Sequence, residues 1–390
     1  MRSRSNASIT ASYTPRFKVL IRLSSFLLVV SLLVSTSAQG QSLARLQTAE
    51  WMKTNFDIMS IKPEEIMSGG PPKDGIPAID EPKFVGYADA LEWLADNEPV
   101  IAFEHGGVAR AYPLQILMFH EIVNDEVGGK PFTITFCPLC NASIVFDREV
   151  DGVVLDFGTT GRLRKSDLVM YDRKTESWWQ QFNGSGIVGD YTGTKLKRAP
   201  SQIVSFETFR DAFPKGEILS RETGFYRQYG KNPYQGYDSI DITPFLYRGE
   251  LDPRLAPMER VLSVPAADGN HLVPLSALEK KSLLEMDFDG TSVVVFAAGT
   301  AASALDKSSI AESREILSAA AFSAKHGDKT LKFEMREGKI LDTATGSTWN
   351  ALGHATNGEL TGQRLQQLDT GVHFAFAWMA FDPDAIIFGK

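Results

Sequence analysis

The hydrophobic and polar positions along this chain alternate mostly with the two-residue period of β-strands. The clearest runs are rich in β-branched and aromatic residues, are bounded by glycine or proline, and lie at 132–136, 152–157 and 291–296. Helical periodicity is less common and is seen at 87–97, 113–119 and 206–213. The pattern predicts an α+β, strand-rich and mainly β architecture, without the regular strand and helix alternation of a doubly wound sheet.

Part of the sequence occurs twice. The clearest correspondence joins Asp172, Thr175, Ser177 and Trp179 to Asp342, Thr345, Ser347 and Trp349, at identical spacing. Such self-similarity indicates a duplicated module. We therefore predict two tandem related modules at 99–220 and 259–390, joined by an aromatic crossover at 221–258. The only two cysteines lie in the first copy, so the fold of the module does not require them.

The first 38 residues have the pattern of a secretory signal peptide. Basic residues precede an apolar run at 26–34, and small residues follow up to Ala38, where we expect cleavage. The apolar run is too short to span a bilayer, and no longer run follows it. We therefore expect a soluble protein exported by the Sec route to the periplasm or the extracellular space. Residues 39–98 then form a helical and extended lead-in.

The net charge of the chain limits the kinds of partner that we expect it to bind. The predicted leader contains five basic and no acidic residues, so its removal leaves 35 basic against 48 acidic side chains and a net charge of −13. Such an acidic chain is a poor ligand for nucleic acid or for an anionic membrane surface. We expect an unknown protein or small molecule as the partner.

The cysteine pair is the strongest chemical signal in the chain. Cys137 and Cys140 lie in Phe-Cys-Pro-Leu-Cys-Asn, directly after a predicted strand. This spacing is compatible with a metal site, with thiol-disulfide exchange, or with a structural disulfide in a non-catalytic binding module. Disulfide oxidoreductases place the first cysteine at a helix N-terminus, whereas strand-like alternation follows here. If exchange occurs, Cys137 is the attacking thiol and the more accessible one.

A hairpin signal places a histidine near these thiols. The Gly-Gly pair at 128–129 separates two apolar stretches and predicts a two-residue turn in which Val127 faces Lys130. Continued in the same register, the ladder places His120 opposite Cys137, with Cβ atoms about 4.5–5.5 Å apart.

The resulting prediction is a Cys2His site of Cys137, Cys140 and His120 at the mouth of the hairpin. Two thiolates and one imidazole suit a soft metal, copper or zinc. On this interpretation the protein handles metal or transfers electrons, and the aromatic crossover shields the ion from water.

Five more residues are candidates for the surroundings of the site. Glu121, Asn124 and a backbone carbonyl are the candidate acceptors for the second ring nitrogen of His120. Arg162 lies in a Gly-rich basic segment at 158–166, which we predict to be a loop able to receive an anion. Trp178 and Gln180 have no counterpart in the second copy, so they are candidates for the active half.

Several motifs together resemble the prokaryotic family catalogued as domain of unknown function 3179. They are His120–Asp125, Phe136–Cys140, Gly161–Asp172, Asn232–Asp238 and Asp252–Leu255. The resemblance extends from about Pro82 onward and covers most of the chain after the predicted leader. It implies the extent of the domain and the importance of His120, Cys137 and Cys140, but no biochemical activity.

Overall fold

The computed structural model describes residues 42–288 and 290–389. The predicted signal peptide, residues 1–38, and the first residues of the lead-in lie outside this range. The described chain is rich in strands and contains few helices, which confirms the strand-rich class. Within the described ranges, no helix has the length and apolar content needed to cross a bilayer.

Two antiparallel sheets matter most for the site. The first, here the cysteine sheet, contains in spatial order the strands Arg198–Ala199, Ala142–Asp147, Lys130–Cys137 and Ile122–Val127. The second, here the tryptophan sheet, contains Ile66–Ser68, Phe157–Arg164, Asp167–Asp172, Trp178–Gln180 and Ser185–Val188. Apolar residues of both sheets belong to one continuous core, which includes Phe136, Ile144, Leu168 and Trp179.

The remaining sheets complete the fold. One contains Gln202–Ser205, Pro99–His105, Val108–Pro113, Glu217–Leu219 and Phe84–Val85 in spatial order, and a second contains Val372–Phe374, Arg260–Ala266, Gly269–Pro274 and Ile386–Ile387. Two others consist of Leu283–Phe288, Thr291–Phe296 and Ala320–Ser323, and of Phe333–Arg336, Lys339–Asp342, Thr348–Trp349 and Ala355–Asn357. Two-stranded ribbons pair Glu149–Val150 with Val153–Val154, Thr300–Ala302 with Glu315–Leu317, and Lys325–His326 with Lys329–Thr330.

The helices are short. Those with α geometry are residues 42–46, Tyr87–Ala90, Leu114–His120, Phe206–Ala212, Leu275–Leu278 and Ala375–Phe381, and 3-10 turns occupy Pro63–Glu65, Pro138–Cys140 and Ile310–Glu312. The helix predicted at 87–97 ends early. It ends at Ala90, and turns follow in which the Trp93 and Leu94 amides both donate to the Ala90 carbonyl, at 3.1 and 2.9 Å.

The hairpin of the cysteine sheet forms as predicted. Val127 pairs with Lys130, and both intervening glycines have positive φ, 56° at Gly128 and 75° at Gly129. A Cβ atom on Gly128 would lie 2.4 Å from the His105 carbonyl oxygen, so glycine is needed there for space as well as for conformation. The regular ladder continues only to Ile122 and Thr135.

A buried carboxylate organises the end of the tryptophan sheet. Asp172 is fully buried and accepts hydrogen bonds from Trp179 Nε1 at 3.0 Å and from the Thr175 amide at 2.7 Å. The equivalent bonds recur at Asp342, from Trp349 Nε1 at 3.1 Å and from the Thr345 amide at 2.7 Å. Each carboxylate therefore holds a tight turn against a core tryptophan.

Replacing Asp172 with alanine should destabilise the protein by about 3 kcal/mol, because the Trp179 indole, the Thr175 amide and the Thr175 hydroxyl lose their acceptor. Urea unfolding measures this change as a lower transition midpoint. The exposed Asp190, replaced by alanine, is the matched control and should change stability by less than about 0.5 kcal/mol. A loss below about 1 kcal/mol in the Asp172 variant would mean that water satisfies these donors.

Candidate metal centre

The two cysteines lie on a tight turn at the end of a central strand. Cys137 is the last residue of Lys130–Cys137, Pro138–Cys140 forms a single 3-10 turn, and Asn141 adopts the left-handed conformation with φ 49°. Proline suits the first position of such a turn because its missing N–H has no partner there. The next strand begins at Ala142, opposite Cys137. The turn thus brings the two cysteines together inside the core.

Both cysteines are free thiols. Their exposed fractions are 1% for Cys137 and 0% for Cys140. The structural disulfide weighed from the sequence is therefore wrong. The geometry also lacks the features of an exchanging thiol, because no α-helix follows Cys137 and neither sulfur is accessible to a partner.

An aspartate from the other sheet completes the group. One carboxylate oxygen of Asp167 and the sulfur atoms of Cys137 and Cys140 all lie within 4.8 Å of one another. Asp167 follows a two-residue turn, Lys165 and Ser166, in which both residues have positive φ, 54° and 66°. The segment predicted as a loop is thus mostly strand. The Cys140 sulfur donates to the Ser166 carbonyl at 3.6 Å, which joins the turn to the thiol.

The Asp167 carboxylate is held by one of its oxygens only. Oδ2 accepts from Gln180 Nε2 at 2.6 Å and from the Phe182 amide at 2.9 Å. Oδ1 is buried and has no hydrogen-bond partner among the described residues. A carboxylate that is oriented on one side and unsatisfied on the other is arranged as a metal ligand would be.

Glu121 is a second carboxylate in the surroundings of the group. It caps the helix Leu114–His120 in the left-handed conformation, with φ 58°. Burial raises its pKa to about 8, and the charge of Asp167 contributes to the rise. Its charge in turn raises the pKa of Cys137. The Glu121 carboxylate therefore interacts electrostatically with both Asp167 and Cys137.

Burial disfavours negative charge throughout the group. It raises the pKa of Asp167 to about 7, although hydrogen bonds from Gln180 and Phe182 oppose the rise. It raises the pKa of the Cys137 thiol, and it raises the pKa of Cys140 well above the ordinary value, with Cys137 as the next cause. Apart from burial, the pKa values of these side chains are therefore set mainly by the other members of the group and by neutral hydrogen-bond donors. A cation bound between them would reverse the cost of ionisation.

The structure places His120 in a different set of contacts from the one predicted. Its Nδ1 lies 2.7 Å from the Pro77 carbonyl oxygen, and its Nε2 lies 2.6 Å from the Tyr229 hydroxyl. Burial lowers its pKa to about 4, which favours the neutral ring. The reason is local: His120 ends a helix, and left-handed Glu121 turns the chain before the ladder begins at Ile122.

Of the other candidate residues, one lies at the site and two lie in the core. Gln180 contacts Asp167 and so belongs to the site. Asn124 instead donates to the Phe157 carbonyl at 2.8 Å and joins two strands. Trp178 is buried against Trp51 and Phe56, with ring centroids 5.0 and 5.4 Å away.

Arg162 also lies apart from the cluster. Its guanidinium is 3.8 Å from the carboxylate of Glu50, and it pairs with Ser68 at the edge of the tryptophan sheet. Asp167 carries no signal of its own in the sequence. It lies within a motif shared with the family resemblance, Gly161–Asp172, but its role follows only from the contact between the sheets.

Tyrosines of the segment 221–258 lie over the thiols. The Tyr237 hydroxyl donates to the Leu139 carbonyl, between the two cysteines, at 3.1 Å. Burial raises the pKa of Tyr234, and the charges of Glu121 and Cys137 raise it further. Tyr234 and Tyr237 are therefore neighbours of the buried cysteines.

The group has the donors of a thiolate and carboxylate metal site. Bonds of about 2.0–2.3 Å place ligands roughly 3.3–3.8 Å apart around a tetrahedral zinc ion. Atoms within 4.8 Å of one another therefore need to move by only about 1 Å to close on an ion.

Fold and site together define a strand-rich protein with a buried Cys2Asp group that could hold a metal ion. The comparisons with known proteins then give its family. The family described as "Protein of unknown function (DUF3179)" matches residues 73–385, and the chain belongs to it, as the resemblance implied. The comparison with curated proteins and the comparison with solved structures each gave no match.

Proposed function

We propose that this protein binds one zinc or copper ion between Cys137, Cys140 and Asp167. The observation that carries the proposal is the convergence of two sulfur atoms and a carboxylate oxygen within 4.8 Å, in the core. Acidic side chains are rarely buried together without a compensating partner. A divalent ion supplies that partner.

The donor set ranks zinc ahead of copper. Copper(I) prefers sulfur ligands alone, whereas zinc accepts both thiolate and carboxylate. Cys137, Cys140 and Asp167 supply two sulfurs and one oxygen. A fourth ligand would complete a tetrahedral site.

The burial of the site supports a resident ion rather than one in transit. Delivery of a metal to a partner requires that a ligand of the partner reach the ion, but both cysteines are buried. Electron transfer remains compatible with a resident copper ion. Thiol-disulfide exchange has less support, because both thiols are inaccessible and their raised pKa values disfavour the thiolate.

We also propose that the two halves of the chain derive from one module. The matching hydrogen bonds of Asp172 and Asp342 support this. So does the shared sheet pattern, in which a hairpin pairs parallel with a strand near the end of each half. The second half has no cysteine, so one ion per chain is expected. The signal-peptide pattern of residues 1–38 favours export, which the mass of the mature N-terminus would test.

Metal analysis of the protein purified without chelator tests the proposal. We expect close to one equivalent of zinc or copper per chain, and none in a Cys137→Ser, Cys140→Ser double variant that keeps its circular dichroism spectrum. Ser143→Ala is the matched control, because it changes a neighbouring residue that is not a ligand and should keep the ion. Absence of metal from the wild-type protein, even after incubation with either ion, would reject the proposal.

A further inference from the structure

A cavity separate from the metal centre lies beside the end of the helix Leu114–His120. It has a volume of about 520 Å³, and its walls include Phe119, Tyr226, Arg227, Gln228, Lys231 and Asn232. Small-molecule sites typically span roughly 300–1,000 Å³. None of these residues is a member of the Cys2Asp group, so the cavity is distinct from the metal centre.

The charge of the cavity is opposite to that of the chain. The whole sequence has 48 acidic and 40 basic residues, but the lining contains Arg227 and Lys231 and no carboxylate. In the part of the chain that the structure describes, neither cation forms an ion pair. Arg227 Nη1 donates only to the Tyr226 carbonyl, at 3.0 Å. The remaining guanidinium donors and the Lys231 ammonium group are therefore free to bind an anion.

Aromatic side chains provide the apolar part of the lining. The Tyr226 side chain is 92% exposed, which is unusual for a residue of its size. Phe119 is half-buried, with its ring centroid 5.9 Å from that of Tyr229. Exposed aromatic faces beside cationic donors suit a planar apolar group that carries an anion.

Two residues of the segment that lines the cavity are anchored before any ligand binds. The Asn232 amide donates to the Ser308 carbonyl at 2.9 Å, and Asn232 Nδ2 donates to the Lys307 carbonyl at 3.1 Å. Tyr229, in the same segment, is bonded through its hydroxyl to His120 Nε2 at 2.6 Å. A ligand therefore need not order the chain at these two residues, and the side chains of Tyr226, Arg227 and Lys231 are what it orders.

We propose that this cavity binds a small organic anion, a planar ring that carries a carboxylate or a phosphate group. Arg227 and Lys231 contact the anionic group, the amides of Gln228 and Asn232 add polar contacts, and Tyr226 and Phe119 contact the ring. The proposal does not depend on the metal centre, because no lining residue is a proposed ligand.

Isothermal titration with phenyl phosphate and with benzoate tests the proposal on the protein as purified. At least one of them should bind with a Kd below about 1 mM, and comparison of the two identifies the preferred anion. Arg227→Gln and Lys231→Gln should each weaken binding at least about tenfold, because each removes a charge-assisted contact. Lys339→Gln, an exposed lysine outside the cavity, should leave the affinity unchanged.

Three results would overturn the inference. One is the lack of saturable binding of either probe up to about 10 mM. Another is equal binding by the wild-type protein and both cavity variants, because the anion would then lie elsewhere. The third is equal affinity for inorganic phosphate and phenyl phosphate, which would remove the role of the aromatic walls.

Discussion

Asp167→Asn should lower the affinity for zinc by about 1,000-fold or more while the protein stays folded. Replacement of residues that only support a ligand typically costs 10–100-fold in metal affinity, and Asp167 is a proposed ligand. Asparagine has nearly the same shape, and its oxygen can still accept from Gln180 and Phe182. The substitution also removes a buried carboxyl whose pKa is raised to about 7. The metal-free variant should therefore be no less stable than the metal-free wild type.

Competition with a chromogenic chelator measures this loss of zinc affinity. Two other variants are needed for comparison. Asp369→Asn changes a more exposed carboxylate that is paired with Arg198 and should bind zinc normally. His120→Gln should change the affinity by less than about tenfold, because both ring nitrogens already have hydrogen-bond partners. If His120→Gln loses the ion and Asp167→Asn keeps it, the Cys2His site is correct and the Cys2Asp site is not.

Zinc affinity should rise steeply with pH between about 5.5 and 7. Metal binding displaces the proton of every ligand that is protonated in the free protein. At pH 6 this applies to Asp167, whose pKa is raised to about 7, and to both thiols, whose pKa values are also raised. Three protons per ion give an affinity that increases up to about a thousandfold per pH unit. The slope should decrease above pH 7, once Asp167 has ionised.

Glu121 determines whether a fourth proton is released. Its pKa is raised to about 8, so it is protonated over the same pH range. If it is a ligand, Glu121→Gln lowers the number of protons released at pH 6 by one, as measured by calorimetry in buffers of different ionisation enthalpy. A slope of two or less for the wild-type protein at pH 6 would show that Asp167 releases no proton on binding, so it is either ionised before the ion binds or not a ligand.

The stability of the metal-free protein should fall as pH rises, whereas its zinc affinity should increase. The folded-state pKa values of Asp167 and Glu121 lie above those of the unfolded chain, so folding binds protons between about pH 4 and 8. The stability they contribute is fully present below the unfolded values and is lost as pH rises through about 7 to 8. Saturating zinc should restore stability in that upper range, because the ion then stabilises the ionised ligands.

Local features of the sequence predicted much of the cysteine sheet. The Gly-Gly turn at 128–129 requires positive φ at both positions, so it fixed the hairpin and the pairing of Val127 with Lys130. Pro113 predicted the start of the helix Leu114–His120. The cysteine pair is also local, because a single 3-10 turn brings both cysteines into the same group.

The register that placed His120 opposite Cys137 was extended too far, because His120 ends a helix instead of continuing the ladder. The ladder holds from Val127 back to Ile122. One residue earlier, Glu121 adopts φ 58°, a conformation that is rare for glutamate and that no propensity would have indicated. That single residue carries His120 out of the ladder and toward Pro77 and Tyr229.

The sequence alone determined the strand-rich class, the hairpin and the proximity of Cys137 and Cys140, because each depends on contacts between residues close in the chain. The tertiary structure decided the third member of the group. Asp167 is far from the thiols along the chain and in another sheet, and it meets them only where the two sheets share a core. Burial then raised the pKa values and closed off solvent. Both effects depend on the surrounding protein, and no spacing of residue types encodes them.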